Sequence, residues 1–327
     1  MARFLLGRFL QLIPTFIGAT FLAFMIIQLA PGDFLTQRSL DPNIRPETIE
    51  RLRSQFGLDQ PFVVQYFLFM GNLLQGDLGY SFAYQQPVWN VVIPRMLNSL
   101  ILVGLSLVFL FALAIPIGVV SALRPYSWVD QILSFFSYVG LAIPNFFLAL
   151  ILIYLLLEFN FWAGFLPFPV GGMTSRGYDD FSTAQQFLDV LWHALIPALI
   201  VATADIAGYS RVLRGQMLEV LDQDYIRTAR AKGLAERAVV YKHALRNAVV
   251  FFVAGVGGLL PALVGGAGFV EVVMNWPGIT PLYLEALSQQ DLFVLTGFLT
   301  ITLVLLMIGN LLSDLLLAAV DPRIRYG

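Results

Sequence analysis

Apolar residues gather into six long stretches, at 9–30, 99–123, 131–157, 188–209, 247–273 and 292–320. Each meets the roughly 17 to 25 mainly apolar residues that one helix needs to cross a bilayer, so the pattern predicts an all-α integral membrane protein with six spans. Between the fourth and fifth spans lies a charge-rich run, RVLRGQMLEVLDQDYIRTARAKGLAERAVVYKHALR at 211–246. It holds Arg211, Arg214, Arg227, Arg230, Lys232, Arg237, Lys242 and Arg246, eight of the chain's 19 Lys and Arg residues. At about 2.5–3.5 kcal/mol each at the centre of a membrane helix, placing all eight in lipid would cost roughly 20 kcal/mol or more. This segment therefore lies outside the hydrocarbon.

The first stretch starts like a signal peptide, with Arg3 and Arg8 near its head. It is longer than a signal core and no small-x-small cleavage site follows it, so it reads as a retained span. Between it and the second span, residues 31–98 form more than a linker. Pro46 begins a short helix with Ile49, Leu52 and Phe56 on one face, and Gly57 ends it. The apolar run PFVVQYFLFMGNLL that follows is too short to span and is expected at the interface or against the bundle. Prolines 14, 116, 144, 197 and 261 sit inside spans, where neighbouring helices can satisfy the carbonyls they free. The fifth span carries Gly255, Gly257, Gly258, Gly265, Gly266 and Gly268, a spacing that allows close helix approach or a pore-lining surface.

Composition supports the same class, because 58% hydrophobic and 12% charged residues in 327 are too apolar for a soluble domain. The absence of Cys excludes disulfides, thiolate metal sites and cysteine nucleophiles. His193 and His243 are too far apart in sequence to suggest a metal cluster; the first reads as an interface residue beside Trp192, the second as part of the polar segment. Basic residues fix orientation. Arg3, Arg8, Arg124, the eight in 211–246, Arg323 and Arg325 all fall on one side, against Arg176 alone in the short loops of the other. Both termini and the 211–246 segment are thus expected in the cytoplasm. The long 31–98 segment, with five Arg and six acids, counts little in that balance.

Within the basic segment, Asp222 or Asp224 can cap a helix that runs through YIRTARAK and stops at Gly233. Leu221, Tyr225, Thr228 or Ala229, and Lys232 follow a three-to-four spacing that predicts a mixed small and apolar stripe, with Arg227 and Arg230 elsewhere. A second helix is expected from Ala235 and Glu236 into the fifth span. Helix, Gly turn and helix make a surface suited to a groove of a partner protein, although charge alone would equally describe a solvated loop near anionic lipid. Three acids lie in or beside spans, Asp205, Glu271 and Asp314. Such residues are costly in lipid, and each is a candidate gate, a relay, a substrate-amine site or a helix-locking hydrogen bond. Trp276, Pro277 and Gly278 form either an external turn with an interfacial Trp or a contact for an external protein. Neither a GxxxxGK[ST] loop nor a recognisable catalytic set occurs.

The order of residues in DYIRTARAKGL and HALRNA closely resembles the cytoplasmic loop of ABC importer permeases of the dipeptide, oligopeptide and nickel family. The resemblance covers nearly the whole chain. It includes Gly7 and Arg8, Pro14, PGD at 31–33, FGLDQP at 56–61, Gln65 and Tyr66, GDLGYS at 76–81, EVVMNWPGI at 271–279, Asn310, Asp314 and DPRIR at 321–325, and it is to the B-type subunit. The family pattern of EAA, three residues, Gly, nine residues and I-x-L-P falls on Arg227, Thr228, Ala229, Gly233, His243, Leu245 and Arg246, with agreement at the Ala, Gly and Leu.

The resemblance implies a type I ABC importer permease fold of six transmembrane helices, in the plasma (inner) membrane of a prokaryote. It divides the chain into a first helix at 1–30, an external segment at 31–98, a five-helix core at 99–320 and a cytoplasmic tail at 321–327. It also implies ATPase coupling through Asp224, Tyr225, Ile226, Arg227, Thr228, Ala229, Arg230, Ala231, Lys232 and Gly233. The implied partners are a second, homologous permease subunit in a heterodimer, two cytoplasmic ATPase subunits, an external solute-binding protein, a short peptide as cargo, and membrane lipid. No nucleic acid is implied. ATP and Mg would be bound by the ATPase subunits, so this chain is expected to hold no cofactor, metal or catalytic residue. A secondary transporter driven by ions through Asp205, Glu271 or Asp314 is the alternative; no inverted repeat supports it.

Overall fold

The computed structural model describes residues 2–29, 32, 34–39, 45–164, 168–250, 252 and 267–320. The architecture is helical. Among the described residues, five helices are long and apolar enough to cross a membrane. The first, α1 (Ala2–Gln28), contains Pro14 and packs along the last helix of the chain. Two short helices, α2 (Phe34–Arg38) and α3 (Pro46–Gln55), follow it. As the spacing predicts, Ile49 is the buried residue of α3, and Gly57 turns the chain with φ +66°.

The short apolar run forms α4 (Phe62–Leu74), about 20 Å long at 1.5 Å per residue. It lies against α1. Tyr66 Oη and Thr20 Oγ1 are 3.0 Å apart, and the Tyr66 and Phe69 rings meet Phe21 and Phe24. A two-residue hairpin pairs β1 (Tyr80–Ser81) with β2 (Gln86–Pro87) and leads into the next helix.

That helix, α5 (Val88–Leu123), starts 11 residues before the apolar run expected from 99. At 36 residues it is about 54 Å long, well beyond a hydrocarbon core of about 30 Å. Likewise α8 (Thr183–Leu221) has 39 residues, where 188–209 was expected, and it continues through Arg211 and Arg214. Hydropathy marks only what lipid must cover; α5 runs on through Pro94 in its flank and α8 through Arg211 and Arg214. Among the described residues these two helices pack together most extensively. At Gly118 of α5 a Cβ would lie 2.9 Å from the Ser210 carbonyl oxygen and from Leu213 Cβ, so glycine permits the close crossing.

The expected span at 131–157 is two helices. α6 (Trp128–Ala142) ends before Pro144, and α7 (Asn145–Ala163) begins after it, because the ring cannot continue the α6 ladder. Both pieces follow α8 in turn: Ser137 Oγ is 3.4 Å from Ser210 Oγ, Gly140 faces Thr203 and Ala207, and Asn145 Nδ2 donates to the Val201 carbonyl at 3.3 Å. They form one track with a break.

Beyond α8 come α9 (Asp224–Ala231), α10 (Glu236–Ala238), a π-turn at Val239–Ala244 and α11 (Leu245–Ala248). Most of the fifth apolar stretch, with Pro261 and Gly255, Gly257, Gly258, Gly265 and Gly266, lies outside the described residues, as do Pro31, Asp33 and the 321–327 tail. The chain resumes with α12 (Phe269–Val273), α13 (Ile279–Ser288) and α14 (Leu292–Val320).

Replacing Gly118 with Val is expected to destabilise the fold by about 1–3 kcal/mol through overpacking. Gly104 on the same helix has open space at its Cβ position, so Gly104→Val serves as the control. Thermal melts of the purified subunit in detergent should drop for the first variant only; equal melting would refute the close crossing.

Candidate functional site

The two ends of the α5–α8 pair are built differently. At one end, α9 stands on a core made by both long helices. Ile226 is fully buried and Ala229 is 6% exposed, packed in a cluster with Val119 and Ala122 of α5, Leu213 and Met217 of α8, and Val239, Val240 and Ala244 of the π-turn. The inward stripe is therefore Ile226 and Ala229. Of the stripe expected from spacing, Leu221, Tyr225, Thr228 or Ala229, and Lys232, only Ala229 is packed: Tyr225, Thr228 and Lys232 are exposed and Leu221 is half-buried. Periodicity identifies a face, but only the position of α8 and the π-turn decides which face is covered.

Asp224, Tyr225, Arg227, Thr228, Arg230, Ala231, Lys232 and Gly233 all remain exposed. Neither candidate aspartate caps α9. The N-cap is Gln223, without a side-chain cap; Asp224 lies in the first turn, where its charge suits the helix dipole. Asp222 instead receives a hydrogen bond from Arg227 Nη2 at 2.9 Å. At the other end of α9, Gly233 has φ +75°. Its N–H donates to the Arg230 carbonyl at 2.9 Å, and Leu234 N–H reaches the Ala229 carbonyl at 3.4 Å, the paired pattern of a Schellman stop. Arg230 then crosses the turn to Glu236 at 2.8 Å and holds that exposed carboxyl below the usual carboxylate range. Asn247 Nδ2 donates to Tyr225 Oη at 2.9 Å, tying α9 to α11. Helix, turn and following helix are one braced unit.

The long helix beneath that unit is tied to α6 by a pair absent from the sequence-derived candidates. Arg214 on α8 donates from Nε and Nη2 to the two oxygens of Asp130 at 2.8 and 2.7 Å. Asp130 is 3% exposed and also accepts from Ser121 Oγ at the end of α5 and from Tyr126 N–H at 2.9 Å. The signal for it was local: Ser127 and Asp130 have N-cap spacing, and Ser127 Oγ indeed accepts the Asp130 N–H.

At the opposite end Glu271 and the WPG turn come together. Glu271 is fully buried on α12; its Oε1 accepts from Ser99 Oγ at 2.5 Å and Ala267 N–H at 3.1 Å, and its Oε2 from Thr280 N–H at 2.9 Å. Trp276 is 1% exposed and cannot serve as the surface contact proposed for it with Pro277 and Gly278. Its indole N–H donates to the Asn98 carbonyl at 3.0 Å, while Asn98 Nδ2 returns a bond to the Pro277 carbonyl at 2.9 Å. Gly278 packs directly on the Glu271 carboxylate and is buried, leaving only Pro277 partly accessible. A large aromatic with a satisfied donor is a core anchor here.

The other two acids differ. Asp205 is an exposed position of α8 with no hydrogen-bond partner among the described residues, and Asp314 is half-buried on α14 and engaged with a partner. The described residues contain no His, Cys, Asp and Glu cluster suited to a metal ion.

Comparison with known proteins covers the chain from end to end. The family model "Binding-protein-dependent transport system inner membrane component" matches residues 114–326, and its N-terminal counterpart matches residues 1–103. The oligopeptide transport system permease protein AppB of Bacillus subtilis is 41% identical over 327 residues, the full length of both chains. The dipeptide transport system permease protein DppB of Escherichia coli is 34% identical over 343 residues, covering 100% of this chain and 99% of its own.

Two substitutions separate the ends. Gly233→Val places a β-branched residue at positive φ at a cost of roughly 1–2 kcal/mol, with no clash; it is expected to disturb the turn while membrane insertion stays normal, as read by limited proteolysis at 230–236 in membranes. Glu271→Gln keeps the volume but sets an amide N–H₂ against a donor, so melting should fall by the equivalent of about 1–3 kcal/mol. An unshifted melt would mean that the carboxylate locks nothing.

Proposed function

Because the chain belongs to the family of inner-membrane components of binding-protein-dependent transport systems, we propose that it is one of two homologous permease subunits of an ATP-driven importer for short peptides. Relatives named as oligopeptide and dipeptide permeases support the cargo class. In this reading six helices cross the plasma membrane, with the stretch around 251–266 within the fifth span, and both termini lie in the cytoplasm, as the Lys and Arg distribution favours. Residues 31–98 then lie outside with the α12–α13 turn, where an external binding protein delivers cargo.

The observation that carries the proposal is α9: one face buried on the ends of α5 and α8, the other exposed and framed by charged residues. Two ATPase subunits in the cytoplasm would receive that exposed face in a groove. ATP and Mg belong to those subunits; this chain transmits displacement. Force on α9 passes through Ile226 and Ala229 into the α5–α8 core, and through Arg214 to Asp130 into α6. The braces from Tyr225 to Asn247 and from Arg230 to Glu236 keep the unit from yielding on its own.

Gly233→Val in the assembled transporter should therefore lower peptide uptake several-fold more than ATP hydrolysis, an effect of about 1 kcal/mol on coupling. Unchanged coupled transport would count against the lever. The ion-driven alternative runs through Asp205, Glu271 or Asp314, of which Asp205 has no hydrogen-bond partner among the described residues. In vesicles, uptake should require the ATPase subunits and survive Asp205→Asn. Uptake that persists without them and collapses with the ion gradient would overturn the proposal.

A further inference from the structure

Between α1 and the α13–α14 pair is a cavity of ≈ 700 Å³, within the size range of small-ligand sites. Its walls are aliphatic, from Ala19 and Ala23 on α1 to Leu295 and Leu299 on α14. One end is polar. Gln28 Nε2 donates to Gln65 Oε1 at 2.7 Å, Gln65 Nε2 donates to the Gln60 carbonyl at 2.8 Å, and Gln290 closes the same rim. Leu22 and Ile26, 53% and 65% exposed, flank the opening on α1.

Its length selects the occupant. From Ala19 to Gln28 the cavity follows α1 for about 14 Å, and from Leu292 to Leu299 it follows α14 for about 10 Å. One leaflet of hydrocarbon is about 15 Å deep. A partner's transmembrane helix would need a groove twice as long. A translocating peptide would leave its backbone amides unpaired against the aliphatic walls. Water finds too few polar partners below the glutamine rim. A chain with a polar end at the rim and an apolar tail reaching mid-membrane satisfies every wall.

We propose that this crevice holds one acyl chain of a phospholipid as a resident ligand, with the ester and headgroup region at the Gln28, Gln65 and Gln290 carboxamides. The lipid fills the gap between α1 and α14, which pack against each other. That it comes from the external leaflet rests on the orientation proposed above; occupancy of the crevice does not, so the two can fail separately.

The test uses the assembled transporter in nanodiscs of palmitoyl-oleoyl phosphatidylethanolamine and phosphatidylglycerol, doped with a phospholipid carrying a diazirine on its acyl chain. After exchange into unlabelled lipid and irradiation, labelled peptides should map to 19–28 and 292–299, while the outward faces at Phe135 and Tyr154 should have lost their label by exchange. Ala23→Trp, which fills the cavity from α1, or Leu295→Phe from α14, should reduce that retained label about tenfold. Retained label only on the outward faces, retention unaffected by either substitution, or preferential retention of a diazirine fatty acid over the phospholipid would each overturn the proposal. The mapping in the unmodified protein stands even if a variant fails to assemble.

Discussion

One carboxylate joins the three helices on which the candidate lever depends. Asp130 receives two hydrogen bonds from the Arg214 guanidinium, one from the Ser121 hydroxyl and one from the Tyr126 amide, so α5, α6 and α8 converge on a single side chain. Arg supplies a rigid two-pronged donor that Lys cannot reproduce. The carboxylate is buried and Arg214 is one-quarter exposed, a geometry in which losing either partner strands a charge. The pair fixes α6 against α8 and the end of α5, the two long helices on which α9 packs.

The far end uses the same device with different partners. Glu271 gathers Ser99, Ala267 and Thr280. Asp291, fully buried, accepts from Ser81 Oγ at 2.7 Å and Ala83 N–H at 3.1 Å, and it caps α14 through Val294 N–H. These two acids bind the hairpin and the WPG turn to the spans. Buried carboxylates thus serve as joints at both ends, each satisfied by several donors, which is the condition under which a buried charge can be kept. Asp205 stands apart from this pattern, and so it is the acid for which a role in transport is worth testing.

Two further features shape the packing. Pro144 divides the track along α8 into α6 and α7, each with its own contacts to that helix. At Gly118 the α5 backbone comes close to the Ser210 carbonyl and Leu213 of α8, an approach that a side chain would block.

Much of this was legible in the residues themselves. Apolar stretch length predicted membrane helices, Gly233 predicted the stop of α9, Pro46 and Gly57 bounded α3, and the ordered motifs pointed to the family, because each depends on local backbone geometry or on contiguous residues. The ends of α5 and α8 were not legible, since hydropathy reports where lipid ends and not where a helix does. Nor was the buried side of α9, or the burial of Trp276, or the role of Asp130: each is decided by groups distant in sequence, such as Leu213 for Ile226, Asn98 for Trp276 and Arg214 for Asp130. Sequence alone determined the helical membrane class and the Gly233 turn. The tertiary structure decided which charged and aromatic side chains became joints, because only the packing of α5 against α8 brings their partners within hydrogen-bonding distance.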